Sequence, residues 1–104
     1  MEYKVFLSSL ATKDLQNIYN YIAFEKQSII NAKKLINKLK KEIADLSFMP
    51  NSYRLYNKEP FTNENVRCVP VNKYLIFYQT NDSDKTVSIV RVMYGKMDLS
   101  KLRK

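Results

Sequence analysis

The stretch that decides the fold is Tyr74-Leu75-Ile76-Phe77-Tyr78, followed after a polar break by Val87-Ser88-Ile89-Val90-Arg91-Val92-Met93-Tyr94. β-Branched and aromatic side chains crowd both runs, and both are bounded by turn residues, so both read as strands. Between them lies Asn81-Asp82-Ser83-Asp84, whose short polar side chains imitate backbone turn hydrogen bonds; the two strands form a hairpin. Upstream, Val66-Arg67-Cys68-Val69 opens a third run that closes on a second turn at Asn72-Lys73. The expected strands are residues 66–71, 74–79 and 86–94. Pro70 has no N–H for a ladder and belongs at a strand end or an edge. Arg67 and Arg91 are the anomalies, because an unpaired charge inside a sheet costs several kcal/mol or more. Each calls for a partner or an anionic ligand.

Working towards the N-terminus, Tyr3, Val5 and Leu7 alternate with Glu2, Lys4 and Phe6 as a short strand. Ser8 or Ser9 then offers an N-cap, and Ala11, Leu15, Ile18 and Ile22 form one helical stripe that Tyr19 widens. This predicts a helix over residues 9–24. A second stripe, Ala32, Leu35, Ile36, Leu39, Ile43 and Leu46, starts near Ser28 and ends before Met49-Pro50, with lysines on the other faces. The short link at residues 24–27 makes the two helices an antiparallel hairpin. Residues 53–56 read as a short strand or irregular edge, and residues 57–65 as a polar loop. The order is β-α-α-β-β-β. The expected fold is α+β, an antiparallel sheet packed on an N-terminal helical hairpin, in a single domain spanning residues 1–104.

Composition narrows the function. The net charge is +8, with 18 Lys and Arg against 10 Asp and Glu, which favours polyanionic partners or an acidic protein segment. Most of the excess is lysine; the arginines are Arg54, Arg67, Arg91 and Arg103. A lone cysteine, Cys68, and the lack of a signal-peptide pattern point to the cytoplasm, and no apolar run is long enough for a membrane span. With no histidine, Ser-His and Cys-His nucleophiles are excluded, and one cysteine speaks against a zinc site. No cofactor or metal is expected.

Three segments carry a family resemblance. Ser9-Leu10-Ala11-Thr12-Lys13-Asp14-Leu15-Gln16-Asn17-Ile18-Tyr19-Asn20-Tyr21-Ile22 is similar to the opening helix of the RelE/ParE toxin superfamily, with its Ala, Asp-Leu and Tyr-Ile at this spacing. Arg67 to Tyr78 resembles that family's arginine-bearing strand followed by a Tyr-x-Ile-x-Tyr strand, and Val87 to Asp98 resembles its final strand and basic turn. The resemblance implies the toxin of a type II toxin–antitoxin pair, held by a cognate acidic antitoxin that lays a helix or strand across the sheet and hairpin. It implies one of two activities. One is RelE-like, ribosome-dependent mRNA cleavage, the leading expectation; the other is ParE-like inhibition of DNA gyrase by binding. An inert interaction module is a third reading. This chain departs from the pattern with Tyr94 where many relatives carry His, and with Lys96-Met97 where two basic residues are usual.

Metal-free RNA cleavage has to deprotonate a 2′-hydroxyl, stabilise an anionic phosphorane and protonate the leaving oxygen. Arg67 and Arg91 suit the phosphate, since a guanidinium fork matches its oxygens and keeps its charge. Tyr94 or Lys96 would then move the proton, each needing a pKa drawn well below its ordinary value. Regular alternation sets an obstacle, for it puts Arg91 on a face with Ile89 and Met93, and Tyr94 opposite with Val90 and Val92. A bulge near Met93, or a turn starting at Tyr94, would bring them together. The plainer readings are structural ion pairs for Arg67 and Arg91, a packed tyrosine at Tyr94 and solvated lysines. Cys68 reads as a small buried hydrophobe, and Tyr74 and Tyr78 as core.

Overall fold

Eight segments of regular structure succeed one another in the computed structural model, which describes residues 2–95. They run β1 (Lys4–Leu7), α1 (Ser9–Asn20), a π-helical turn (Tyr21–Glu25), α2 (Ile29–Asp45), a 3-10 turn (Pro50–Ser52), β2 (Arg67–Val71), β3 (Tyr74–Asn81) and β4 (Thr86–Tyr94). The sheet order is β1-β4-β3-β2. The three C-terminal strands are antiparallel, as their hairpin turns require, whereas β1 lies parallel to β4 with Lys4 beside Thr86 and Leu7 beside Ile89. The sheet is therefore mixed rather than wholly antiparallel. The cause is the helical hairpin, a crossover of the length that parallel neighbours need.

Local chemistry sets the joints. Ser8 ends β1 and starts α1: its Oγ accepts from the Ala11 N–H at 3.0 Å, its hydroxyl donates to the Val90 carbonyl at 2.9 Å, and its own N–H donates to Ile89 O at 3.0 Å. Ser28 caps α2 the same way, accepting from the Asn31 N–H at 3.2 Å. Asn72 and Lys85 take left-handed φ values of 55° and 56° in the two hairpin turns. Pro70 sits in β2, an edge strand, where its missing N–H costs no ladder bond.

Two apolar clusters flank the sheet. On the helical side Ala11, Leu15, Ile18, Leu35, Leu39 and Ile43 meet Ile76, Tyr78, Val87, Ile89 and Val92. Tyr78 is wholly buried there, its hydroxyl donating to Pro50 O at 2.7 Å. On the far side Phe61, Val66, Phe77 and Met93 form a smaller cluster, with Tyr56, Cys68, Leu75 and Val90 against it. The segment expected to be a polar loop is thus also a lid, since Phe61 stacks 4.8 Å from the Phe77 ring and is 5% exposed. Residues 53–56 form an irregular edge, tied by a single bridge between Leu55 and Arg67.

One irregularity decides where side chains point. Phe77 pairs with Arg91, but Tyr78 pairs with Ile89, so Val90 is an extra residue in β4. A bulge of this kind reverses the alternation beyond it. Val87 and Ile89 face the helices before it, and Val92 faces them after it. The expected sharing of a face by Arg91 and Ile89 is corrected accordingly. Arg91 and Met93 stand in register with Phe77 and Leu75 of the far cluster, and Tyr94 stands with Tyr74 on the helical side.

Candidate functional site

Strand β1 stops at Leu7, level with Ile89, while β4 runs on to Tyr94. From Val90 onward no strand among the described residues lies beside β4 on that edge; α1 comes down there instead. Asp14 lies on the buried stripe of α1, three residues after Ala11 and four before Ile18. Its carboxylate stands in for the absent strand by accepting the Val92 N–H at 2.9 Å. The same carboxylate accepts from one edge of the Arg91 guanidinium, Nε at 2.7 Å and Nη2 at 2.9 Å. The side chains are 28% exposed for Arg91 and 11% for Asp14, and the hydrogen bond that Arg91 donates to Asp14 holds the guanidinium pKa above its ordinary value. The charge that looked misplaced in a strand is neutralised by an acid sited one and a half helical turns into α1.

Beside this pair a groove of about 1070 Å³ opens between α1, the π-helical turn, the start of α2 and the free end of β4. Ile18, Ile22, Leu35 and Val92 supply an apolar floor, and Lys26, Lys34, Lys38 and Lys73 line its sides. Tyr21, Tyr74 and Tyr94 complete it, the last two meeting edge to face with centroids 5.6 Å apart. Lys38 Nζ donates to Asn72 Oδ1 at 2.9 Å, and the Lys26 ammonium lies 5.7 Å from the centre of the Tyr21 ring. Burial, with Tyr21 and Tyr94 adding to it, pushes the Tyr74 hydroxyl above its usual range, so it holds its proton more firmly, the opposite of what a general base needs. Gly95 closes the strand with its N–H 2.7 Å from Lys73 O. A Cβ there would meet that carbonyl at 3.2 Å, so the turn at this end of the groove is tight.

The expected site residues are therefore only partly gathered. Arg91 and Tyr94 both line the groove, although alternation separates them, because Arg91 turns round the open edge of β4 to reach α1. Arg67 lies elsewhere. It belongs to β2, two ladder spacings or about 10 Å across the sheet, and its Nη1 donates outward to the Tyr53 carbonyl. Lys96 falls outside the described residues. Asp14, which governs the orientation of Arg91, was not among the expected site residues. Its position within an apolar stripe was the signal, since an acid there needs a buried donor. Cys68 is half-buried, and burial pushes its thiol up to about 11, far from a reactive thiolate.

The sequence profile of the family described as "ParE toxin of type II toxin-antitoxin system, parDE" matches residues 5–99. A search of the curated proteins finds no significant match. Among solved structures the chain is similar to the chromosomal ParDE toxin–antitoxin system from P. aeruginosa, with a TM-score of 0.70 at 17% identity over 89% of this chain and 96% of that one. It is similar to the RelBE2 toxin–antitoxin complex from Mycobacterium tuberculosis, at 0.68 and 18% over 90% and 92%. A mutant of the E. coli toxin RelE in the free state matches at 0.64 and 14% over 99% and 94%. At these identities the structures speak for the fold.

Proposed function

The chain belongs to the ParE toxin family of type II toxin–antitoxin systems, and from that premise we propose that it arrests growth by binding DNA gyrase rather than by chemistry of its own. A cognate acidic antitoxin neutralises it. The observation that carries this reading is the Asp14–Arg91 pair. Among the described residues Arg91 is the arginine that lines the groove, and its Nε–Nη2 edge, which could grip a phosphate with two parallel bonds, is spent on Asp14. Arg67 faces the opposite edge of the sheet. Arg67 and Arg91 do not assemble into a phosphorane clamp, and the chain has no histidine to move protons.

RNA cleavage is the second reading, and one observation favours it: Tyr94 shares the groove with four lysines that suit a phosphate backbone. One pair of assays separates the two. Purified toxin added to gyrase and relaxed plasmid is expected to block supercoiling, and the antitoxin is expected to relieve the block. The same protein added to a translation reaction is expected to leave the mRNA intact. Transcripts cut at codon boundaries, with supercoiling untouched, would reverse the assignment.

A further inference from the structure

The hairpin tip is apolar, exposed and flanked by an excess of lysines over the single acid Glu25. The π-helical turn ends α1 and brings the chain round through Gln27, held at a left-handed φ of 53°, to the cap of α2. Across that corner Phe24 is 66% exposed, Ile30 69% and Tyr21 49%, values far above those of the neighbouring core residues Ala23 and Ala32. Lys33 and Lys34 sit one helical turn beyond Ile30, and Lys26 hangs over Tyr21. Between residues 15 and 41 there are six lysines and a single acid, Glu25. Exposed apolar patches of this sort mark association sites, and the lysine excess selects what associates.

We infer that this tip is the surface with which the toxin grips its target, and that it docks on an acidic protein face bearing an apolar socket for Phe24 and Ile30. The inference rests on the binding mode proposed above. Charge decides the occupant. A second copy would bring the same lysines and the same net charge of +8 against the first. Duplex nucleic acid would answer the lysines and leave the phenyl and isoleucine side chains in water, and a single strand that stacked a base on Phe24 would still leave Ile30 uncovered. An acidic protein surface satisfies both.

The test uses the full-length toxin in two double variants, Phe24→Ser with Ile30→Ser, and Lys26→Glu with Lys33→Glu. These side chains lie outside both apolar clusters, so melting temperatures are expected to stay at the wild-type value. The toxin concentration for half-inhibition of gyrase supercoiling is expected to rise at least tenfold in both variants. Affinity of the Phe24/Ile30 variant for the cognate antitoxin, measured by calorimetry, is expected to stay within twofold. Unchanged gyrase inhibition overturns the inference, and so does an antitoxin affinity that falls in step, which would make the tip the antitoxin's dock. Wild-type binding to phosphatidylglycerol vesicles that the Phe24/Ile30 variant loses would also overturn it, in favour of a lipid surface. If wild-type toxin leaves gyrase untouched, the target assignment fails on its own, and growth arrest judges the tip. Variants that still stop growth refute it, and variants that do not uphold it for a different target.

Discussion

Arg91 shows how one side chain's partner decides what the residue can do. A strand arginine whose Nε–Nη2 edge is free can grip a phosphate with two parallel bonds; the same edge closed on a carboxylate makes it a structural tie. Asp14 makes the difference, because it binds Arg91 twice and also satisfies the Val92 N–H. Removing it leaves a partly buried cation and an orphaned backbone donor. Asp14→Ala is expected to cost about 3 kcal/mol, given 1.5–3 kcal/mol for hydrogen bonds to charged groups. Chemical denaturation measures this, and a double-mutant cycle with Arg91→Ala is expected to return a coupling of about 1–3 kcal/mol. An arginine held free for chemistry would give Arg91→Ala full stability and no coupling. Reading the sequence identified Arg91 as a charge in need of a partner. It could not identify the partner, because the two residues lie 77 positions apart and meet only once α1 crosses the end of β4.

At the level of the elements, period and turn chemistry gave most of the fold before any coordinates. The strand at Thr86–Tyr94 and the turns at Asn72 and Asn81–Asp84 stand where hydrophobic runs and polar breaks put them. The bulge at Val90 could not be read, because an inserted β-branched residue in an apolar run looks like any other strand residue. Phe61 was hidden for the converse reason, being one aromatic in a polar segment whose far-side cluster no local pattern announces. Both features are testable. Deleting Val90 would remove the extra residue and leave Arg91 and Ile89 as consecutive partners of Phe77 and Tyr78. Regular alternation would then keep Ile89, Val92 and Tyr94 on the helical side and Arg91 and Met93 on the far side. The expected result is that the cooperative unfolding transition and the near-ultraviolet circular dichroism both survive the deletion. Phe61→Ala uncovers Phe77 and Met93, and is expected to destabilise by about 3–4 kcal/mol, as large-to-small changes of a buried phenylalanine do. Its unfolding is expected to remain cooperative.

For the whole molecule, alkaline pH probes how both clusters hold together. Burial raises Tyr78 from an ordinary value of 10 to about 12, and Cys68 from 9 to about 11. As pH rises the unfolded chain gives up these protons first, so it is the unfolded state that gains. Stability is thus expected to be full below pH 9 and to fall progressively up to about pH 12. Urea midpoints across that range check the sign. Cys68→Ala should flatten the segment between pH 9 and 11, and Tyr78→Phe the segment between pH 10 and 12. A midpoint that rises with pH would contradict the burial of both groups.

The four-residue length of β1 against the nine of β4 has a consequence of its own. The groove exists because the sheet's outer strand is short, leaving α1 to span a gap that another strand pair would have sealed. Its depth is set by a strand length rather than by any residue that lines it. Two more alternating residues before Ser8 would slide α1 along β4, withdraw Asp14 from Arg91 and fill the cleft with backbone. In a scaffold built this way, binding surface is made or erased by an insertion remote from every side chain that touches the ligand.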